Sequence, residues 1–128
     1  MDASEFLKYK NWVVVGDVLN TKKYANRIYN ELKEAGYNVA GVNMNGKNDG
    51  SFNKLSEVPF KIDVVDLCIN HVKGLEAVTE AGSKLHIDKI LIQPGAESSE
   101  ILDYCKNSGI IAIEGCALVE LSHASAVR

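Results

Sequence analysis

Only two prolines interrupt the 128 residues, and no run approaches the roughly 20 consecutive apolar residues that a membrane-spanning helix requires. Dense Lys/Arg runs are also missing. With a formal net charge of −3, this argues against a general partner of nucleic acid or of an anionic membrane, both usually met by a basic patch. The first residues, Met1-Asp2-Ala3-Ser4-Glu5, are polar where a secretory leader is apolar, so a cytoplasmic location is expected. Cysteine is sparse. Cys68, Cys105 and Cys116 are odd in number and far apart, with neither CxxC spacing nor a set of Cys and His at metal-ligand spacing, which argues against a disulfide framework and a thiolate metal site and suits a reducing compartment. There is no repeat, linker or low-complexity stretch. What remains is ordinary globular composition, 46% hydrophobic and 24% charged, in a length that suits one domain over residues 1–128.

The apolar residues fall into five short runs separated by helical patterns. Trp12-Val13-Val14-Val15-Gly16 is β-branched and stops at glycine, as a strand buried on both faces does. Tyr24, Ile28, Leu32 and Ala35 recur at spacings of four, four and three before Gly36, which predicts an amphipathic helix with a glycine stop. Val39 to Val42 is the second strand. The stretch 46–53 is polar and glycine-rich, a loop, and 55–59 holds a short element at most. Asp63 to Ile69 is the third run, followed by a helix through Val72, Leu75 and Val78 to about Lys84. Ile87 to Ile92 is the fourth. Ser98 or Ser99 caps the next helix, which buries Ile101, Leu102 and Cys105 and ends at Gly109; Ile110 to Ile113 is the fifth strand. In the tail from Glu114, Leu118, Val119 and Leu121 can start a short helix. Such alternation implies an α/β, Rossmann-like, doubly wound parallel five-stranded sheet with expected order 3-2-1-4-5.

In open sheets of this kind ligands lie beyond the carboxyl ends of the strands where the order reverses, here expected between the first and fourth strands. Those ends present Gly16, Asp17, Val18, Asn20, Lys22, Lys23 and Tyr24; Asn43, Asn45 and Lys47; Asn70 and His71; Gln93 and Gly95; and Glu114 to Cys116. Gly16 permits a tight turn, and a helix opening near Thr21 offers free N–H groups where a phosphate is favoured, with Lys22, Lys23 and Lys47 adding charge. Of the G-x-G-x-x-G dinucleotide fingerprint only Gly16 is present, with Val18 and Thr21 at the other two glycine positions. Asn43 stands where a nicotinamide site places an acid on the ribose.

Each of these residues also has a plainer reading. Gly16 can serve the turn alone, Asp17 can be a helix-entry carboxylate rather than a ribose or cation contact, and Lys22 and Lys23 can be solvated charges. His71 is a general base, a neighbour of adenine, or a helix cap. Cys68 and Cys105 sit in core patterns. Cys116 is the one thiol placed for redox or thioester chemistry, with no activating partner in view. Glu97 and Glu100 complement a helix dipole.

Val14-Val15-Gly16, Glu34-Ala35-Gly36-Tyr37-Asn38-Val39 leading into Val42-Asn43, Val58-Pro59 before Val64-Val65-Asp66, and Ile92-Gln93-Pro94-Gly95-Ala96 together resemble the small single-domain CoA-binding proteins related to the CoA-binding domain of the succinyl-CoA synthetase alpha subunit. The resemblance runs from about Trp12 to Cys116. It implies coenzyme A across the strand ends, its phosphates by the loop after the first strand, with Gly16 to Tyr24, Asn43 to Lys47, Asn70 and Gln93 to Gly95 as contacts. Three positions depart from the family pattern: Gly16-Asp17-Val18 replaces Gly-Ala-Ser, Val42-Asn43-Met44 replaces Val-Asn-Pro, and Asn70 replaces an Arg.

The function implied is a non-catalytic module binding CoA, an acyl-CoA or another adenine nucleotide, in a carrier or regulatory role. The alternatives are a subunit of an acyl-CoA synthetase-type enzyme, whose phosphate-carrying histidine lies in a domain outside this chain, and an NAD(H)-binding redox module, which the missing glycines and Asn43 oppose. The expected partner is a small nucleotide rather than nucleic acid or membrane; a homodimer or an enzyme partner subunit is left open. Signalling receivers share the architecture but need Asp at the end of the third strand and Lys at the end of the fifth, where Asn70 and Glu114 stand.

Overall fold

The structure is a computed structural model, and it describes residues 2–44 and 51–127. Helix α1 (Ala3–Phe6) precedes strand β1 (Asn11–Val15), helix α2 (Tyr24–Glu34) and strand β2 (Asn38–Val42). A single 3₁₀ turn (Leu55–Glu57) leads to strand β3 (Val64–Leu67) and helix α3 (His71–Ser83). Strand β4 (Lys89–Ile92), helix α4 (Ser99–Asn107), strand β5 (Ile111–Glu114) and helix α5 (Ala117–Val127) complete the order. All four ladders are parallel.

The α/β class is as expected, but the five strands lie in the order β2-β1-β3-β4-β5 rather than 3-2-1-4-5. The third run therefore pairs with the far side of β1, where all four of its residues are buried, while β2 and β5 take the edges with partly exposed residues. A strand with no exposed residue belongs inside the sheet. The place expected for a third strand outside β2 is held by one residue: Phe52 makes an isolated parallel bridge to Val42. The reversal of strand order thus falls between β1 and β3.

Two apolar layers enclose the sheet. Val13, Val15, Val65, Leu67, Ile90 and Ile92 face α3 and α4 through Ala77, Val78, Ile101 and Cys105. Trp12, Val14, Val64 and Leu91 face α1, α2 and α5 through Phe6, Ala25, Ile28, Leu32 and Ala117. Alternation along each strand sends neighbours to opposite layers. Two elements go beyond the sequence reading. The polar start forms α1, closed by a capping box in which Asp2 accepts from the amides of Ser4 and Glu5 while Glu5 accepts from the Asp2 amide. The tail forms an 11-residue helix, α5, packed on α1 and α2. Among the described residues no helix is long and apolar enough to cross a membrane.

Candidate ligand cleft

A cleft of about 480 Å³ opens at the carboxyl ends of β1, β3 and β4, where the order of the strands reverses. Asp17, Lys23, Tyr24 and Ala25 form one side, Cys68, Ile69 and Asn70 follow β3, and Gln93 to Ala96 follow β4.

The β1–α2 loop makes the first wall. A side chain on Gly16 would put Cβ 2.7 Å from the Cys68 carbonyl oxygen and 2.9 Å from Ala25 Cβ, so glycine is required by the close approach of α2 to β3. Asp17 is held by two amides: Asn20 Nδ2 donates to its Oδ2 at 3.1 Å and Asn43 Nδ2 to its Oδ1 at 3.2 Å. The carboxylate that replaces a small residue in the family pattern is thereby tied to neighbours from its own loop and from the end of β2. Asn20 also accepts from the Lys22 amide at 3.0 Å, which fixes the approach to α2. Val18 turns inward; it is buried, and a Cβ on Gly41 would lie 2.5 Å from its side chain.

Lys23 is the N-cap of α2, and its side chain makes no cap hydrogen bond. No acidic residue stands in the first turn. Lys22, Lys23 and Tyr24 are exposed. Cations beside the positive end of a helix dipole are unfavourable unless an anion joins them. The start of α2, with Lys23 in the lining, thus stands at the cleft, and a helix start is where a phosphate is favoured. One ring face of Tyr24 carries the Arg27 guanidinium, 6.0 Å from the ring centroid.

The opposite wall is a tight turn. The Ala96 amide donates to the Gln93 carbonyl at 2.9 Å, with Pro94 second and Gly95 third at φ +98°, a type II turn that needs glycine there. Glu97 accepts from the Gly95 amide at 2.7 Å, so its charge is used within the turn. Asn70, rather than His71, caps α3, accepting from the Lys73 amide at 3.1 Å.

Beneath the cleft lies a buried polar group that the sequence reading missed. Asp66 of β3 is fully buried, and its Oδ2 and the Gln93 Oε1 are buried without a hydrogen-bond partner among the described residues. Burial pushes the Asp66 carboxyl up to about 7, against a smaller downward pull from the Cys68 thiol. Cys68 Sγ donates to Asp66 Oδ1 at 3.2 Å; burial and then the nearby Asp66 charge raise this thiol well above the usual range. Gln93 Nε2 donates to Cys116 Sγ at 3.3 Å. Cys68, read from sequence as core, lines the cleft. Cys105 is buried in α4 as expected.

Of the residues singled out in sequence, the cleft gathers Asp17, Lys23, Tyr24, Asn70, Gln93 and Gly95 along its lining. Gly16, Asn20 and Asn43 shape it from behind, and Lys22 stands exposed beside it. Asn45 and Lys47 lie outside the described residues. Asn43 is buried and donates to Asp17, so its amide is not offered to a ribose.

The model of a family described as the CoA binding domain matches residues 10–122. The chain belongs to this CoA-binding domain family. Among solved structures, a conserved hypothetical protein of Pyrococcus furiosus is 31% identical, with 88% of this chain and 99% of that one covered at a TM-score of 0.77. A hypothetical protein of Pyrococcus horikoshii OT3, 24% identical over 92% of this chain and 85% of the other, shares the fold at a TM-score of 0.82. A Thermus thermophilus protein does so at 19% identity, 93% coverage of both chains and a TM-score of 0.80. No curated protein matches the chain. Membership in the CoA-binding domain family supports a CoA-type small molecule as the ligand.

Proposed function

We propose that this CoA-binding-domain protein is a cytoplasmic, non-catalytic module that binds CoA or an acyl-CoA, in a carrier or regulatory role. The observation that carries the reading is the uncapped start of α2, flanked by Lys22 and Lys23, at the mouth of a cleft lying where the strand order reverses. The diphosphate would lie against that helix start, and the pantetheine arm would run toward Gln93 to Ala96. Among the described residues the lining offers one lysine, the Tyr24 phenol, amides, backbone, a thiol held protonated and the Asp17 carboxylate, which accepts from Asn20 and Asn43 rather than from a nucleophile. NAD(H) is disfavoured because Asn43 is turned to Asp17 rather than to a ribose.

Native mass spectrometry of the protein as purified, followed by calorimetric titration with CoA, acetyl-CoA and NADH, tests this. CoA is expected to copurify or to bind, with NADH a poor competitor. Absence of binding by CoA and acetyl-CoA at millimolar concentration would overturn the proposal.

A further inference from the structure

Among the described residues two buried side-chain acceptors, Asp66 Oδ2 and Gln93 Oε1, are orphaned; Gln93 lines the cleft, and Asp66 lies behind Cys68, which lines it and donates to Asp66 Oδ1. Their positions follow from the ladder. Asp66 pairs with Leu91 and Leu67 with Ile92, so Cys68 comes level with Gln93, and the side chains of Asp66, Cys68, Leu91 and Gln93 share one face of the sheet. Gln93 is therefore one diagonal step from Asp66 on the same face, beside the Cys68 that donates to Asp66. Two acceptors cannot satisfy each other, and a buried acceptor without a donor is costly. A proton on Asp66 would supply a donor for both.

We propose that protonated Asp66 donates to Gln93 Oε1, completing a hydrogen-bond chain from Cys68 through Asp66 and Gln93 to Cys116, and that loss of this proton loosens the floor and weakens ligand binding. The proposal rests on the reading of the cleft as an anion-accepting CoA site. The sign follows from two effects that agree. An ionised Asp66 releases Gln93, the floor residue nearest the ligand's neutral arm, and it places a negative charge beneath an anionic ligand. Affinity should fall as pH rises through about 7, the value to which burial raises this acid. By linkage, ligand binding should draw a proton onto Asp66.

The surroundings of Asp66 leave few competitors for that role. Its neighbours in the ladder are Val14 of β1 and Leu91 of β4. The layer over this face brings Phe6 from α1, Ala25 and Ile28 from α2 and Ala117 from α5, all apolar. The titratable groups near it are Cys68 and, acting on Cys68, Cys116. Glu5 of α1, Arg27, Glu31, Lys33 and Glu34 of α2, and Glu120 and His123 of α5 are outside the buried set, as are Lys22, Lys23 and Asp17 at the cleft.

Asp66 acts through Gln93 and is a positioning residue. Its test is the pH profile of CoA affinity between about pH 6 and 8.5 in the wild-type protein and in Asp66→Asn, an isostere that donates to Gln93 and accepts from Cys68 at every pH. Wild-type affinity should fall about tenfold across the range, while Asp66→Asn should retain the low-pH affinity with only the ligand's own titration. Parallel profiles in the two proteins would overturn the proposal. Infrared spectroscopy judges the proton without ligand: a protonated-carboxyl band present at pH 6, lost at pH 8.5 and missing in Asp66→Asn supports it, and its absence at pH 6 overturns it. Should wild-type protein fail to bind CoA at any pH, the ligand reading falls and the infrared band still decides the hydrogen-bond chain.

Discussion

Helices α2 and α4 both begin beside the same cleft, and their first turns are finished in opposite ways. At α4, Ser98 accepts from the Ile101 amide at 3.2 Å, and Glu100 adds a negative charge to the first turn. This end is complete in itself, with cap and charge both favourable to the dipole. At α2, the cap position is Lys23, its side chain makes no cap bond, and the preceding residue is also a lysine. Local stability would place Ser or Asp there. Asp2, Asn70 and Ser98 cap α1, α3 and α4, so a helix end that works against its own dipole is the one at which, on the proposed function, binding would outweigh stability.

The contrast can be broken most severely at Gly16. Gly16→Ala should lower stability by about 2–3 kcal/mol, since the methyl group would overlap the Cys68 carbonyl and Ala25 in a tightly packed place; it should also displace α2 and weaken CoA binding, read by denaturant midpoints and calorimetry. Ser98→Ala should cost about 1 kcal/mol of stability and leave CoA affinity within a factor of about two. Lys23→Asp should do the reverse, raising stability by about 0.5 kcal/mol while weakening CoA at least about tenfold. If both substitutions shift only stability, the two helix ends are equivalent and the α2 site is wrong. The smallest effect is that of salt: raising ionic strength from about 0.05 to 0.5 M should weaken CoA several-fold in the wild type, and less in Lys23→Asp, as screening shortens to a few ångströms.

The strands were legible because β-branched runs such as Val13-Val14-Val15 and Ile90-Leu91-Ile92 stand between clear glycine and proline punctuation. Their order was harder to read. Nothing in the run Val64 to Leu67 says on which side of β1 it will land, and the one-residue bridge at Phe52 leaves no periodic trace. Helix α1 was missed although Asp2 and Glu5 spell its capping box, because four residues are too few to show an apolar period. In the cleft, Asp17, Lys23 and Gln93 could be placed from strand ends alone. Val18 could not: only the meeting with Gly41 reveals that it faces inward. Asp66 was missed as a site residue, although it stands as a carboxylate inside an apolar run, a conflict between residue and surroundings. Its meaning came only with the ladder that brings Gln93 beside it.

The Gly16 contact also ties together two stretches far apart in the chain. The α2 wall, residues 17–25, belongs to the first part of the sequence, whereas the floor and opposite wall, 68–70 and 93–96, belong to the second. Inside the sheet, these parts meet along the β1–β3 ladder. A ligand reaching from α2 to the Gln93 turn would therefore act as a clasp across that seam, slowing hydrogen exchange in β1 and β3 more than in the edge strands and coupling occupancy of the cleft to the mechanical integrity of the sheet.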